Sequence, residues 1–252
     1  MYAFQVCGYH KSGKTTTVKE LIKRLKLGGN RVASIKDIHF EGFQIDLPNS
    51  NTYVHKQAGA DLVVARGKLE TDFLYSRKMD FLEIAHKISA DWLVVEGMSN
   101  FPLPKIVCGK TEAEVDHFLD RRTLAIAGII GNTRSEYRGL PVFNPMDAES
   151  ANKLWELVLS KCFPMLPYVD DKCCGLCGLT CSQLVEAIIQ GEKSYNDCPI
   201  NQTNVHLKIN GREIPMVPFV QRILKNNLLA VVSELDGWEK GKAIEVLIED
   251  HG

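Results

Sequence analysis

The residues with the clearest chemical meaning lie near the start of the chain, where Gly8-Tyr-His-Lys-Ser-Gly-Lys-Thr15 fits the phosphate-binding pattern Gly-x-x-x-x-Gly-Lys-Thr. Glycines let such a loop curl so that successive backbone amides face a phosphate at the N-terminus of the following helix. In this pattern the Lys14 ammonium reaches the β- and γ-phosphates, and the Thr15 hydroxyl ligates Mg²⁺. The sequence therefore predicts a nucleotide site made by Gly8, Lys11, Ser12, Gly13, Lys14, Thr15 and Thr16.

The segments around this loop have the form that the motif requires. The apolar run Tyr2–Cys7 predicts a buried strand, and apolar residues spaced three and four apart at Val18, Leu21 and Leu25 predict a helix. Strand-like and helix-like segments then alternate to about residue 165, which is typical of an α/β phosphate-loop NTPase fold with a mostly parallel sheet and helices on both faces. The other predicted strands are 31–36, 62–66, 73–76, 92–95 and 124–130, and the predicted helices are 79–88 and one capped by Asp147 that runs to about residue 160.

Acidic residues stand at the ends of two predicted strands. A phosphate-loop enzyme needs an acidic group near Mg²⁺, and Glu96 closes the run 92–95 while Asp37 follows 31–36. Either carboxylate can hold Mg²⁺ through water or polarise an attacking water. The alternative is a carboxylate that only caps the end of a strand. Together with Lys14, these two residues form the predicted catalytic set.

Asn132 follows the predicted strand 124–130 and is the candidate contact for the base or ribose of the nucleotide, unless it only forms a turn. The sequence has no Asn-Lys-x-Asp motif of the kind that small GTPases use to recognise guanine. The residues alone therefore do not distinguish GTP from ATP.

Length and composition limit the classes of protein and partner. The 252 residues suffice for one sizeable domain and a smaller addition, and a net charge of −1 gives no general attraction to nucleic acid or anionic membrane. No apolar run is long enough to span a bilayer, and a motif that begins at Gly8 leaves no room for a signal peptide. We therefore expect a cytoplasmic protein without a nucleic-acid or membrane partner, in which eight cysteines indicate metal or redox chemistry before disulfides.

Five of the eight cysteines lie between Cys173 and Cys198. From Cys174 onward the spacing is C-x₂-C-x₃-C-x₁₆-C, and four thiolates at this spacing can surround a [4Fe–4S] cluster or, as a second alternative, a structural zinc ion. Metal-free thiols or disulfides are the third alternative, and Cys173 has no assigned role. The predicted metal ligands are Cys174, Cys177, Cys181 and Cys198.

The same segment resembles the small iron–sulfur domain of corrinoid iron–sulfur proteins. The resemblance depends on Cys-Gly-x-Cys-Gly from Cys174, a further cysteine, a predicted amphipathic helix over 182–191, Gly191-Glu192 and Cys198-Pro199. It implies a [4Fe–4S] cluster. The isolated Cys7, Cys108 and Cys162 are interpreted as ordinary buried cysteines.

The sequence pattern changes in the C-terminal residues, from about 205 onward. An Asn210-Gly211 pair between strand-like arms in 205–216 predicts a β-hairpin, 219–224 predicts a helix, and 228–235 with 243–248 predicts a second strand pair. The predicted domains are a phosphate-loop nucleotide-binding domain at 1–168, an iron–sulfur module at 169–203, and a β-rich C-terminal α+β tail at 204–252.

Residues 1 to about 165 resemble the molybdopterin-guanine dinucleotide biosynthesis protein B (MobB) family. The matching stretches, in order, are Gly8 to Thr16, Ile35 to Phe40, Phe43 to Pro48, Asn51 to His55 with Ala58 to Asp61, and Val94 to Met98 with Pro102 to Ile106. The resemblance implies a homodimeric GTP-binding protein with weak GTPase activity. It also implies a partner, the guanylyltransferase that attaches GMP to molybdopterin.

Three hypotheses follow for the whole chain. The first is a GTP-binding accessory protein, with Mg²⁺ and a [4Fe–4S] cluster, in molybdenum or tungsten cofactor biosynthesis; its partner is a molybdopterin guanylyltransferase or other molybdo- or tungstoenzyme machinery. The second is a nucleotide-gated iron–sulfur electron-transfer or metallocentre-maturation ATPase. The third is a scaffold in which the metal only stabilises the tail.

Overall fold

The computed structural model describes residues 1–168, 175–202, 205, 207–209, 212–214 and 216–248. The chain divides into two compact units, the first made by Met1–Met165 with Cys181–Tyr195 and the second by Leu166–Thr180 with Asn196–Gly252. We refer to them as the first unit and the second unit.

The first unit is built on a seven-stranded sheet in the order β2-β5-β1-β6-β7-β9-β8. All neighbouring strands run parallel except β8 and β9, which are antiparallel. This confirms the predicted α/β class with a mostly parallel sheet. The strands are β1 (Tyr2–Gly8), β2 (Val32–Lys36), β5 (Trp92–Glu96), β6 (Lys105–Cys108), β7 (Thr123–Ala127), β8 (Glu136–Tyr137) and β9 (Leu140–Phe143), while β3 (Leu62–Arg66) and β4 (Thr71–Tyr75) form a separate antiparallel hairpin.

Helices cover both faces of this sheet. Cys108 and Val107 are adjacent in β6 and therefore face opposite sides. Cys108 Sγ lies 3.5 Å from the Thr17 hydroxyl of one helix, whereas Val107 packs in a core cluster with Val115 of another. The helices of the first unit are α1 (Lys14–Leu27), α2 (Asn51–Gln57), α3 (Phe81–Lys87), α4 (Glu112–Asp116), α5 (Ala148–Lys161) and α6 (Cys181–Ile189).

Local sequence signals explain where the long helices begin and what they bury. The predicted apolar stripe of α1 is buried at Val18, Leu21 and Leu25. Asp147 caps α5, since its carboxylate accepts a 2.8 Å hydrogen bond from the Ser150 amide. The predicted helix after the cysteine segment is also present, as α6.

Helix α6 belongs to the first unit, although it follows the cysteine-rich segment in the chain. Its Leu184, Val185 and Ile189 are buried. Just beyond it, Gln190 Nε2 donates a 2.7 Å hydrogen bond to the Arg121 carbonyl oxygen, and Glu192 forms an ion pair with the Arg121 guanidinium. The helix that starts at a predicted cluster ligand is thus packed on the unit that carries the phosphate loop.

The second unit contains the predicted hairpin, formed by β10 (Leu207–Ile209) and β11 (Arg212–Ile214), while its Asn210-Gly211 turn lies outside the described residues. The second strand pair is wrong: 228–235 falls largely within helix α7 (Pro218–Val232), and 243–248 is not in a strand. A proline at the start of α7 and the polar residues in 221–227 favour a helix. The short apolar run Leu228–Val232 has no periodicity of its own that separates a strand from a buried helical turn. In the described ranges, no helix has the length and the apolar character needed to cross a membrane.

A buried lysine joins the segments that lead into β6 and β7. Lys105 is 2% exposed, and its Nζ donates a 2.6 Å hydrogen bond to the Phe118 carbonyl oxygen and pairs with the Asp120 carboxylate. Arg122 forms a second ion pair with Asp120 and donates to the Phe101 carbonyl oxygen at 2.8 Å. Burial raises the pKa of Asp120, but hydrogen bonds from Arg122 and Lys105 outweigh it and hold that pKa below its ordinary value.

We predict that Asp120→Asn lowers the free energy of unfolding at pH 7 by on the order of 3 kcal/mol, because it leaves the Lys105 charge buried without its carboxylate. A carboxyl whose pKa is lowered by folding stabilises the protein fully above the ordinary pKa of about 4, and the stabilisation is lost as the pH falls through the folded value. The difference between wild type and variant should therefore shrink on acidification.

Urea unfolding at a series of pH values measures this difference. Asp91→Asn is the matched control, because Asp91 pairs with Arg31 at an exposed site where solvent screens the charges, so its effect should be much smaller. An Asp120→Asn effect as small as that of Asp91→Asn would contradict the prediction.

Candidate functional site

The phosphate loop lies between the end of β1 and the start of α1. Two of its glycines have backbone angles and surroundings that exclude a side chain. At Gly8 φ is +143° and a Cβ would lie 2.0 Å from the Cys108 carbonyl oxygen, while at Gly13 φ is +101° and a Cβ would lie 2.8 Å from the Gly128 Cα. The loop is therefore held tightly against β6 and the turn after β7, at the N-terminus of α1.

The other predicted phosphate-binding residues lie in this loop or in the first turn of α1. Lys11 is exposed, with a φ of 57°. Ser12 is fully buried, and its carbonyl oxygen accepts a 3.2 Å hydrogen bond from the Ile129 amide. Thr16 follows Thr15 in α1 and is half-buried. The chain thus places the whole predicted set in one short segment.

Lys14 is the first residue of α1, and its Nζ donates a 2.6 Å hydrogen bond to the Tyr9 carbonyl oxygen of the same loop. The Tyr9 ring packs against His117 and Phe118, with ring centroids 5.4 and 5.1 Å apart. The ammonium is therefore held at the phosphate loop. A phosphate oxygen can replace the neutral carbonyl as its acceptor, because charge-assisted hydrogen bonds are the stronger ones.

Thr15, Glu96 and Lys36 meet beside the loop. The Thr15 hydroxyl donates a 2.8 Å hydrogen bond to Glu96 Oε1, and the Lys36 ammonium pairs with the same oxygen. They meet because β5 lies between β1 and β2, in a register that sets Glu96 beside Val6 on one side and beside Lys36 on the other. Glu96 is only 5% exposed. A hydroxyl and a carboxylate are hard oxygen donors, so this pair fits Mg²⁺.

Asp37 is near this group but has different partners. Its amide donates a 2.8 Å hydrogen bond to the Glu96 carbonyl oxygen, so its backbone continues the pairing of β2 with β5. Its carboxylate lies 3.7 Å from His39 Nε2. The contacts of Asp37 thus connect it to the loop after β2, and its catalytic assignment stays a prediction.

Asn132 ends the 3-10 turn Ile129–Asn132 after β7, and its Oδ1 accepts a 2.8 Å hydrogen bond from Asn144 Nδ2. This turn lies on the β7 side of the phosphate loop, whereas Glu96 lies on the β5 side. The sequence interpretation missed Asn144. Its signal was the Asn144-Pro145 pair after the apolar end of β9, which marks a turn at the same edge of the sheet.

Asp46 organises the loop between β2 and α2. Its Oδ1 accepts hydrogen bonds of 2.7 Å from both the Ser50 and Thr52 hydroxyls, and its Oδ2 lies 3.6 Å from Lys56 Nζ. The bonds from Ser50 and Thr52 lower the pKa of the Asp46 carboxyl. The Asp46-Leu-Pro48 stretch therefore has a structural role that its sequence alone did not show.

The structure describes three of the four predicted cluster ligands. Cys177 and Cys198 are in the second unit, Cys181 starts α6 in the first, and Cys173 and Cys174 lie outside the described residues. Cys198 is buried, and the Cys177 thiol lies 3.3 Å from the Leu179 carbonyl oxygen. Within the described ranges, no group of three or more His, Cys, Asp or Glu side chains is placed to hold a metal ion. The four-cysteine ligand set stays a prediction.

The three isolated cysteines are buried in the first unit. Burial raises the pKa of Cys7 to about 11 and that of Cys108 to about 12, and it also raises the pKa of the Cys162 thiol. A thiol with a raised pKa is a poor metal ligand and a poor nucleophile, since the thiolate is the reactive form.

Comparison with known proteins identifies the family. The profile described as "Molybdopterin guanine dinucleotide synthesis protein B" matches residues 3–131, which is more than half of the chain. The chain belongs to the MobB family. A second profile, described as "Putative Fe-S cluster", matches residues 170–200 and so includes all four predicted cluster ligands.

Relatives support the MobB assignment over different lengths. A Methanocaldococcus jannaschii protein named "Putative molybdopterin-guanine dinucleotide biosynthesis adapter protein" is 27% identical over 256 residues, covering 99% of this chain and 98% of the relative. The alignment therefore includes the cysteine-rich segment and the tail. The Escherichia coli "Molybdopterin-guanine dinucleotide biosynthesis adapter protein" is 30% identical over 126 residues, covering 46% of this chain and 71% of the relative.

A solved MobB structure from Bacillus subtilis has the same fold. It superposes with a TM-score of 0.52 at 23% identity, covering 62% of this chain and 98% of the other. This confirms the predicted fold of the nucleotide-binding part of the MobB chain.

Proposed function

We propose that this chain is a GTP-binding adapter protein in the biosynthesis of molybdopterin guanine dinucleotide, acting beside a guanylyltransferase. The main support for nucleotide binding is the contact of Thr15 with the buried Glu96, next to a complete phosphate loop. The family and the names of its relatives support the pathway. Guanylyl transfer would belong to the partner, because the sequence contains one nucleotide motif.

In this proposal the loop amides and the Lys14 ammonium bind the phosphates, with Lys14 exchanging the Tyr9 carbonyl oxygen for a phosphate oxygen. Thr15 and Glu96 would hold Mg²⁺, which supplies positive charge against the phosphates when it is bound. Glu96 accepts from Thr15 and pairs with Lys36, and the Asp37 carboxylate lies beside His39. Both carboxylates therefore already have partners, so neither is placed alone to activate a water, which supports slow hydrolysis and a role as an adapter.

The base would lie on the opposite side of the loop from Glu96. The metal and terminal phosphate are assigned to the β5 side, so a nucleoside on the same sheet edge extends toward β7 and β9. Asn132 and Asn144 are joined there, and amide side chains offer both donors and acceptors to a purine edge. We assign these two asparagines to base recognition.

A nucleotide-binding panel tests the proposal. For protein purified without oxygen, calorimetry with GTP, GDP and ATP in Mg²⁺ should show that GTP binds at least about tenfold more tightly than ATP, a difference of roughly 1.4 kcal/mol. Tight ATP binding without affinity for GTP would contradict the adapter proposal and favour the electron-transfer ATPase.

We further propose that Cys174, Cys177, Cys181 and Cys198 hold a [4Fe–4S] cluster. The spacing of these cysteines and the match of residues 170–200 to an iron–sulfur profile support it. Thiolates are the ligands that such clusters require, and the same set would also accept zinc.

A homodimer is the third part of the proposal. The β3–β4 hairpin exposes Leu62, Val64 and Phe73 on one face, where Val64 pairs directly with Phe73. An apolar face of this kind is a candidate for contact with another protein, and we propose that a second copy covers it. Light scattering that gives the mass of a single chain would contradict this part.

One observation favours the second candidate function, nucleotide-gated electron transfer. Cys181 begins α6, and the residues that follow α6 are joined to Arg121 of the first unit. A change in the first unit on nucleotide binding would therefore reach a cluster ligand through one short helix. Redox titration with and without nucleotide tests it, and a midpoint potential that nucleotide does not move would exclude it.

A further inference from the structure

Lys36 is the last residue of β2, and its ammonium pairs with the Glu96 oxygen that also accepts from Thr15. We propose that Lys36 takes the place of the divalent cation in the nucleotide-free protein and competes with Mg²⁺ for Glu96, so that it sets the Mg²⁺ concentration at which nucleotide binds. The inference rests on the proposed function, because it assumes that Thr15 and Glu96 hold the metal of a bound nucleotide.

Burial explains why Glu96 needs a cation at all times. The residue is 5% exposed, and a carboxylate removed from water is costly unless a positive charge or hydrogen bonds compensate it. Thr15 supplies one hydrogen bond and Lys36 supplies the charge. Metal binding therefore replaces one compensating charge with another.

Exposure explains why Lys36 can leave. Its side chain is 55% exposed, against 6% for that of Glu96, so the ammonium can turn into water on its flexible stem. The Thr15 hydroxyl uses its hydrogen for Glu96 and keeps oxygen lone pairs for a metal. The Thr15 bond can thus persist when Mg²⁺ binds, whereas the Lys36 pair cannot stay unchanged beside a divalent cation, because like charges a few ångströms apart repel.

The other charged groups nearby have partners of their own. Lys14 Nζ donates to the Tyr9 carbonyl oxygen, and the Asp37 carboxylate lies near His39. Among the residues that the structure describes, Lys36 is the cation that pairs with Glu96, so its loss should act on metal binding.

The test is a Mg²⁺ titration of GTP binding by Lys36→Met, followed with a fluorescent GTP analogue at fixed concentration. Without its competitor, the metal should promote binding at an Mg²⁺ concentration about tenfold lower than in wild type, as expected for removal of a positive charge near a site of intermediate dielectric. Lys36→Arg keeps the charge and should stay close to wild type. Lys23→Met, which removes an exposed lysine paired with Glu20 on α1, is the control.

A second readout separates competition from a structural role. The thermal unfolding midpoint of Lys36→Met should rise more with added Mg²⁺ than that of wild type, whereas a purely structural ion pair predicts a lower midpoint and an unchanged or higher Mg²⁺ requirement. If Lys36→Met does not fold, Lys36→Gln carries the same prediction. An unchanged Mg²⁺ requirement in a folded variant overturns the inference alone, while wild type that fails to bind GTP at saturating Mg²⁺ overturns the proposed function.

Discussion

Replacing Lys14 with alanine should abolish measurable GTP binding while leaving the fold intact. The ammonium supplies charge-assisted hydrogen bonds to the phosphates, and such bonds contribute about 1.5–3 kcal/mol each, so the dissociation constant should rise about 100-fold or more. Lys14 donates to the Tyr9 carbonyl oxygen, a neutral acceptor in its own loop, and the glycines that shape the loop remain in the variant. Calorimetry with GTP and Mg²⁺ measures the loss.

Lys19→Ala is the matched control for this experiment. Lys19 lies on α1 one turn beyond the loop, is exposed, and has the same charge. Its removal should change affinity by less than about threefold, since an exposed charge at this distance is strongly screened. Equal effects of the two variants, or full binding by Lys14→Ala, would show that the phosphates are not held by this loop.

Replacing Cys198 with serine should remove most of the iron and the visible absorbance of protein purified without oxygen. A serine hydroxyl does not replace a thiolate as a ligand of iron–sulfur clusters, and three remaining ligands leave a [4Fe–4S] cluster open to loss. Iron and acid-labile sulfide per chain are the measurements, with zinc analysed in the same samples. Zinc in place of iron in wild type would refute the cluster and support the alternative metal.

Cys162→Ser controls for the effect of changing a buried cysteine. Cys162 and Cys198 are both buried, but Cys162 ends α5 and its pKa is raised by burial. Its replacement should leave the iron content unchanged. Unchanged iron in Cys198→Ser would remove Cys198 from the ligand set and point to Cys173.

The sequence predicted those parts of the site that depend on short-range patterns. The phosphate loop is a contiguous motif, and Glu96 was found because parallel strands end at the same edge of a sheet. The rule put Glu96 near the Mg²⁺ that Thr15 was predicted to ligate, and the structure brings the two side chains into contact. The contact of Glu96 with Lys36 was not predicted from the sequence. It depends on β5 lying between β1 and β2, and the order of strands in a sheet is not encoded in any local pattern.

Two other features were not predicted from the sequence, one because it also depends on strand order and the other because its pattern was ambiguous. Asn144 meets Asn132 only through the neighbouring positions of β7 and β9. The apolar run at 228–232 was assigned to a strand, but it is the last part of helix α7, whose polar residues all lie in 221–227. The fold class was predictable from the alternation of strand-like and helix-like segments. In the tail the apolar runs are short and fit a strand as well as a helix, so its hairpin was the part that the sequence predicted.

The burial of three cysteines has a practical consequence for counting cluster ligands. Burial within the first unit raises the pKa of Cys7, Cys108 and Cys162, so in the folded protein these thiols should react slowly with an alkylating reagent. The thiols that become labelled when metal is stripped from the native protein would then come from the segment between Cys173 and Cys198. Mass spectrometry of labelled peptides can therefore assign each ligand, and the role of Cys173, in the wild-type chain without a single substitution.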